Sequence, residues 1–147
     1  MMARMLVLCS LLLLAELSSC SKPESCGRAI VDSFSSLTFA GIEFSEDQYL
    51  SMCQNELRVI SIYSSMRRFC DRKEINAGLA YFNGQCGPNT GEAVASWNII
   101  SNISTAQTRK WPKLQYSDLN SGKNYTSPVL LSDRLFKNAL KSVVCSS

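Results

Sequence analysis

Seven cysteines and not one histidine among 147 residues constrain this chain more than any other feature. Without an imidazole, no Ser-His-Asp, Cys-His or zinc-hydrolase site and no bis-imidazole haem site can be assembled from its own residues. The length is one domain's worth, with room for a modest core but not for a cofactor domain beside a substrate domain. Aspartate, glutamate, tyrosine and lysine are the acid/base groups that remain. On this reading there are no catalytic, cofactor-binding or metal-binding residues to name and no cofactor to expect.

The start of the chain reads as a leader. Arg4 precedes an apolar run, Met5 to Ala15, of the length of a signal-peptide core and too short to span a bilayer. The expected organisation is a signal peptide over residues 1–19 and a single cysteine-rich domain over 20–147, secreted or extracellular. Small residues at Ser18, Ser19, Cys20 and Ser21 allow several cleavage points. A lipid-anchor reading at Cys20 is a weak fit, because a serine precedes the cysteine. Beyond residue 21 no apolar run is long enough for a transmembrane span.

Cys9 leaves with the leader, and Cys20, Cys26, Cys53, Cys70, Cys86 and Cys145 remain. An even number in an oxidising compartment points to structural disulfides, and the absence of any Cys-x-x-Cys leaves a metal site or a redox dithiol without support. Two sequons, at Asn102 (Asn102-Ile103-Ser104) and Asn124 (Asn124-Tyr125-Thr126), are expected glycosylation sites and would place both segments on the surface.

The apolar pattern of the mature chain is helical. Ala29, Ile30, Phe34 and Leu37 recur at spacings of four and three and predict a short helix ending near Thr38, before a turn at Ala40-Gly41. Ser45 with Gln48 forms a capping box, and the stripe Met52, Val59, Tyr63 and Met66 predicts a long helix from there to about Phe69. Asp71 with Glu74 repeats the capping signature, Ile75, Leu79 and Phe82 follow, and Asn83-Gly84 is the expected stop. Thr90 is a cap for a helix holding Val94, Trp97 and Ile100, and residues 101–126 read as a long surface connection. Pro128 and Ser132 introduce a last helix with Leu135, Phe136, Ala139, Leu140 and Val143 on one face and Cys145 just past its end. The expected fold class is all-α: a small disulfide-stapled domain of four to five helices with a long irregular loop, after a cleaved signal peptide.

Helix geometry narrows the bridges. On one continuous helix Cys53 and Cys70 would be roughly 25 Å apart, too far to bond. If the helix over 71–83 folds back antiparallel, its end returns along its predecessor and brings Cys86 to Cys53. Cys53–Cys86 is therefore the expected pair, with Cys70 reaching back to Cys20 or Cys26.

The stretch Cys53-Gln54-Asn55-Glu56-Leu57-Arg58-Val59-Ile60-Ser61-Ile62-Tyr63, continuing through Phe69-Cys70-Asp71-Arg72-Lys73-Glu74-Ile75-Asn76-Ala77-Gly78 to Cys86, resembles the extracellular amino-terminal segment of fungal ferric reductases. Cys20, Cys26 and Leu37-Thr38-Phe39 before it, and Pro128 to Ser132 after it, fall in the same order. Family members continue into membrane helices whose histidines bind haem and into a module that binds FAD and NADPH. This chain has neither region. The family tends to carry a further cysteine where Ser65 stands here, and to lack one at Cys145. The resemblance therefore implies an extracellular, disulfide-held helical domain, not reductase activity.

Of the other polar clusters, Glu43, Glu46 and Asp47 are the densest carboxylates and read first as complements of a helix N-terminus, and only second as oxygen ligands for ferric iron. Arg67, Arg68, Arg72 and Lys73 form a basic junction suited to an anionic ferric chelate, or to a plain solvated face. Met52 and Met66 suit core packing, and Trp97, Trp111, Tyr116 and Tyr125 suit either a core or a binding surface. Two functions follow. One is a secreted, non-catalytic accessory of iron acquisition whose partner is a ferric chelate or a membrane protein, bound through the 101–127 loop or the basic junction. The alternative is a secreted cysteine-rich interaction protein, an effector or gene-cluster accessory with no iron role, or a fragment of a full-length ferric reductase. No nucleic-acid partner is expected.

Overall fold

The computed structural model describes residues 22–42, 48–90 and 94–145. The expected leader and Cys20 lie outside them, as do Glu43, Glu46, Asp47 and the cap expected at Ser45. Six helices are present among the described residues. Helix α1 (Glu24–Ser33) places an acidic residue in its first turn and buries Cys26, Ala29 and Ile30 on one face. It stops at Ser33 rather than near Thr38, because the chain there turns into a two-residue strand. Strand β1 (Thr38–Phe39) pairs in parallel with Asn124–Tyr125, and the Phe39 and Tyr125 rings lie 5.6 Å apart. A long-range partner has taken over backbone groups that local periodicity assigned to a helix. The turn expected at Ala40-Gly41 follows, with Gly41 at φ 85° and the Ile42 N–H donating to Phe39 O at 3.1 Å.

The long helix expected up to Phe69 is two helices, α2 (Gln48–Gln54) and α3 (Glu56–Phe69), parted at Asn55. Asn55 leaves the helical region at ψ 115° and its Oδ1 accepts from the Arg58 N–H at 3.0 Å, capping α3. Its Nδ2 donates to Ala40 O at 2.9 Å, tying the break to the preceding turn. The side chain of an asparagine outcompetes the helix, since both of its ends find backbone partners. Helix α3 is the centre of the molecule, with Val59, Ile62, Tyr63 and Met66 in the core.

Helix α4 (Arg72–Thr90) begins with the reciprocal cap expected of Asp71 and Glu74: the Glu74 N–H donates to Asp71 Oδ1 at 2.9 Å and the Asp71 N–H to Glu74 Oε2 at 2.8 Å. It does not stop at Asn83-Gly84. Asn83 Oδ1 accepts from the Val94 N–H at 3.2 Å, and the helix runs on so that Cys86 reaches Cys53. A glycine inside a helix costs only about 1 kcal/mol, which buried Phe82 and the bridge outweigh. Cys53–Cys86 and Cys26–Cys70 span Cα–Cα distances of 5.8 and 5.9 Å. The preferred pair is present, and of the two partners left open for Cys70 it is Cys26 that bonds.

The second half is held by tertiary pairing. Thr90 ends α4 instead of capping a new helix, and only a 3-10 turn, Trp97–Ile100, forms with Ser96 as its cap. Residues 101–126 contain short elements: α5 (Thr105–Thr108) with a full Ser104/Gln107 capping box, β2 (Lys113–Leu114), a 3-10 turn over Tyr116–Asp118 and β3 (Asn124–Tyr125). Strand β2 pairs in parallel with β4 (Leu130–Leu131). Buried Val129 and Leu131 are docked on α3 through their backbone, the Val129 N–H donating to Ser61 Oγ at 3.0 Å and the Leu131 N–H to Ser65 Oγ at 3.4 Å. Helix α6 (Asp133–Cys145) closes the fold, with Ser132 Oγ accepting from the Leu135 N–H at 3.3 Å. Cys145 is its last residue and not a position past its end, and its side chain lies outside the described residues. No helix among the described residues is long and apolar enough to cross a membrane.

Candidate functional site

Helix α3 presents Ser64, Arg67 and Arg68 at spacings of three and four, so the three leave the helix on neighbouring lines of one face. Across from them lie Thr105, Thr108 and Arg109, at and just beyond α5. These six residues line a cavity of about 220 Å³. Each half of this wall is oriented by its own contacts. Arg67 Nη1 donates to Ile100 O at 3.1 Å, so the 3-10 turn holds the guanidinium. Arg68 Nη2 lies 3.0 Å from Asp133 Oδ1, and its guanidinium sits over the Phe69 ring at 5.2 Å. Thr108 donates its hydroxyl to Thr105 O at 3.1 Å.

Two polar atoms in the side chains of this wall have no hydrogen-bond partner among the described residues. Ser64 is 2 % exposed, and its Oγ makes no hydrogen bond. Arg67 Nη2 is buried and makes none either. A buried polar atom left unsatisfied costs about 1–3 kcal/mol, more when charged. Ser64 and Arg67 both line the cavity, with Arg68 and Arg109 beside them and no acidic residue among the lining residues, so its wall is basic. A hydroxyl can donate and a guanidinium edge can donate twice, which matches the oxygens of a carboxylate or phosphate.

The basic junction read from the sequence is thus divided. Arg67 and Arg68 line the cavity, whereas Arg72 and Lys73 are exposed at the start of α4 and are not among its lining residues. Ser64, Thr105, Thr108 and Arg109 were missed. The spacing of Ser64 to Arg67 and Arg68 was a readable signal, but nothing local ties α5 to α3.

The other predicted residues have settled positions. Asn102 and Asn124 are exposed, Asn102 just before α5 and Asn124 within β3. Met66 is buried and Met52 half-buried beside Cys53. Trp97 packs on Tyr63 at 5.1 Å, Trp111 is half-buried against the core, Tyr125 is buried and Tyr116 exposed. Burial pushes the Tyr63 hydroxyl up to about 12, and it donates to Ala95 O. Cys26, Cys70 and Glu74 place ligand-type atoms within 4.8 Å of one another, but the two sulfurs are bonded to each other and Glu74 Oε2 accepts from the Asp71 N–H. That grouping is a staple and not a metal centre.

Comparison of the chain with protein-family models, with curated proteins and with solved structures finds no match in any of the three.

Proposed function

We propose that this protein is a secreted, non-catalytic binding domain that takes an anionic ligand between α3 and α5, and that it serves as an accessory in iron acquisition by holding an anionic ferric chelate there. The observation that carries the reading is the pair of unsatisfied groups, Ser64 Oγ and Arg67 Nη2, buried in one arginine-lined cavity. The cavity joins the two segments singled out in the sequence, the basic junction and the 101–127 connection. At about 220 Å³ it falls below the roughly 300–1,000 Å³ of pockets that enclose a whole organic ligand, so it holds one anionic edge of a larger molecule.

Secretion is supported by the leader-like run before Glu16, by two exposed sequons and by two disulfides, which persist in oxidising compartments. Iron rests on the resemblance of the Cys53–Cys86 stretch to ferric reductase ectodomains, and on the negative charge of oxygen-ligand ferric chelates.

Calorimetry with ferric citrate, iron-free citrate and inorganic phosphate tests both parts. Ferric citrate is expected to bind about tenfold more tightly than citrate, and Arg67→Met to weaken it by about another factor of ten, some 1.4 kcal/mol. Equal affinity for the ferric and iron-free forms would remove the iron role and leave an interaction domain with an anionic partner. No binding of any of the three would remove the site.

A further inference from the structure

A second guanidinium is buried on the other side of the fold. Arg58, in the first turn of α3, is only 4 % exposed. Its Nη1 donates to Met52 O at 3.1 Å and its guanidinium lies over the Phe82 ring at 5.6 Å. Its Nε is buried and has no hydrogen-bond partner among the described residues. Among the described residues no carboxylate stands within ion-pair distance of it; the pairs formed are Arg28–Asp32 and Arg68–Asp133. Burial pulls the guanidinium down to about 10, because desolvation penalises its charged form.

The side chain lines a cavity of about 120 Å³ whose other walls include Val31, Met52, Phe82 and the Cys53–Cys86 bridge. These walls are mainly apolar, and they are rigid because the bridge ties α2 to α4. No residue of this cavity is shared with the arginine cavity between α3 and α5.

We infer that the Arg58 cavity is a separate binding site for a small monocarboxylate carrying a short apolar group. The unpaired Nε–H is one of a guanidinium's five donors, and a carboxylate oxygen is the acceptor that fits its fixed, planar geometry. A carboxylate in the cavity supplies the guanidinium with the counter-charge that no described residue gives it. Val31, Met52 and Phe82 give the apolar group of the ligand a dry surface. Asp32 also lines the cavity, its Oδ2 3.5 Å from Arg28 Nε and its Oδ1 accepting from the Tyr81 hydroxyl at 2.8 Å. That negative charge disfavours a dianion, so sulfate and hydrogen phosphate are the wrong ligands for this site although they suit the other.

Nitrogen-15 NMR of arginine side chains in the wild-type protein reads the site directly. Propionate is expected to shift the Arg58 Nε–H resonance saturably at constant ionic strength, with exposed Arg72, which lines neither cavity, as the unmoved control. Sulfate is expected to act about tenfold more weakly, and Arg67→Met, which empties the other cavity's wall, to leave the propionate response intact. Arg58→Met should abolish the thermal protection that propionate confers; should that variant not fold, the wild-type resonance decides alone. An Arg58 signal indifferent to propionate, or moved equally by chloride, would overturn the inference and leave Arg58 as a contact that ties the end of α2 to α3.

Discussion

Gly27 in α1 and Gly78 in α4 meet through their backbones where the two helices cross: a Cβ built on Gly78 would lie 2.7 Å from Gly27 Cα and 3.2 Å from Met66 Cε. The Cys26–Cys70 bridge, one residue from Gly27, fastens the same crossing. Backbone atoms cannot rotate away as a long side chain can, so an added methyl must push the helices apart. Gly78→Ala is expected to destabilise by about 1–3 kcal/mol through overpacking. Gly84 in the same helix faces open space, and there alanine should add about 0.5–1 kcal/mol by helix propensity. Urea midpoints of the two variants should move in opposite directions; movement the same way would sink the reading.

The bridges make a separate prediction. Mass mapping of non-reduced peptides is expected to join Cys26 to Cys70 and Cys53 to Cys86. Replacing Cys53 and Cys86 together by alanine should cost about 2–5 kcal/mol, since the bridge closes a 33-residue separation in the unfolded chain. A peptide joining Cys53 to Cys70 would refute the arrangement of α2, α3 and α4.

Buried serines of α3 carry the second half of the chain. Ser61 Oγ donates to Leu57 O at 2.6 Å and accepts from the Val129 N–H at 3.0 Å. Ser61→Ala leaves that N–H buried without a partner, and about 1–3 kcal/mol should be lost. Hydrogen exchange should show the loss first at Val129 and Leu131. Unchanged protection there would mean the strand is held by its apolar contacts alone.

The exposed pair at the start of α6 gives a pH dependence. Hydrogen bonding and charge from Arg68 hold the Asp133 carboxyl below its ordinary value. A carboxyl whose folded pKa is depressed contributes stability that is whole above its unfolded pKa and is lost as pH falls through the folded one, here below about pH 4. Asp133→Asn should therefore lower the urea midpoint at pH 7 and cease to matter in strong acid. An equal difference at both ends of the range would show that charge is not the cause.

How much of this was legible in the sequence varies by element. The Asp71/Glu74 cap was readable because both groups sit within four residues, and the Cys53–Cys86 pair was readable from helix rise together with the short connection that implies an antiparallel return, even though the helix bounds assumed for it differ from those found. Asn55 shows the opposite. Its stripe of apolar neighbours is continuous, and only the approach of Ala40 O gives the amide a second partner and breaks the helix. The early end of α1 and the short strands of the second half have the same origin, since β1 pairs with β3 and β2 with β4 across gaps that periodicity does not see.

By itself the sequence determined an all-α, disulfide-stapled class, the absence of imidazole chemistry, the bridge between Cys53 and Cys86, and the reciprocal cap of Asp71 and Glu74. These rest on residue type and on contacts within a turn or two. The tertiary structure decided which cysteine meets Cys70, where the long helix breaks, and that Ser64, Arg67 and Arg68 share a cavity with Thr105, Thr108 and Arg109. It also decided that Arg58 is buried with no ion-pair partner among the described residues. The reason is physical: an unsatisfied polar atom is a property of everything packed around it, and no local pattern records which groups are missing from that surrounding shell.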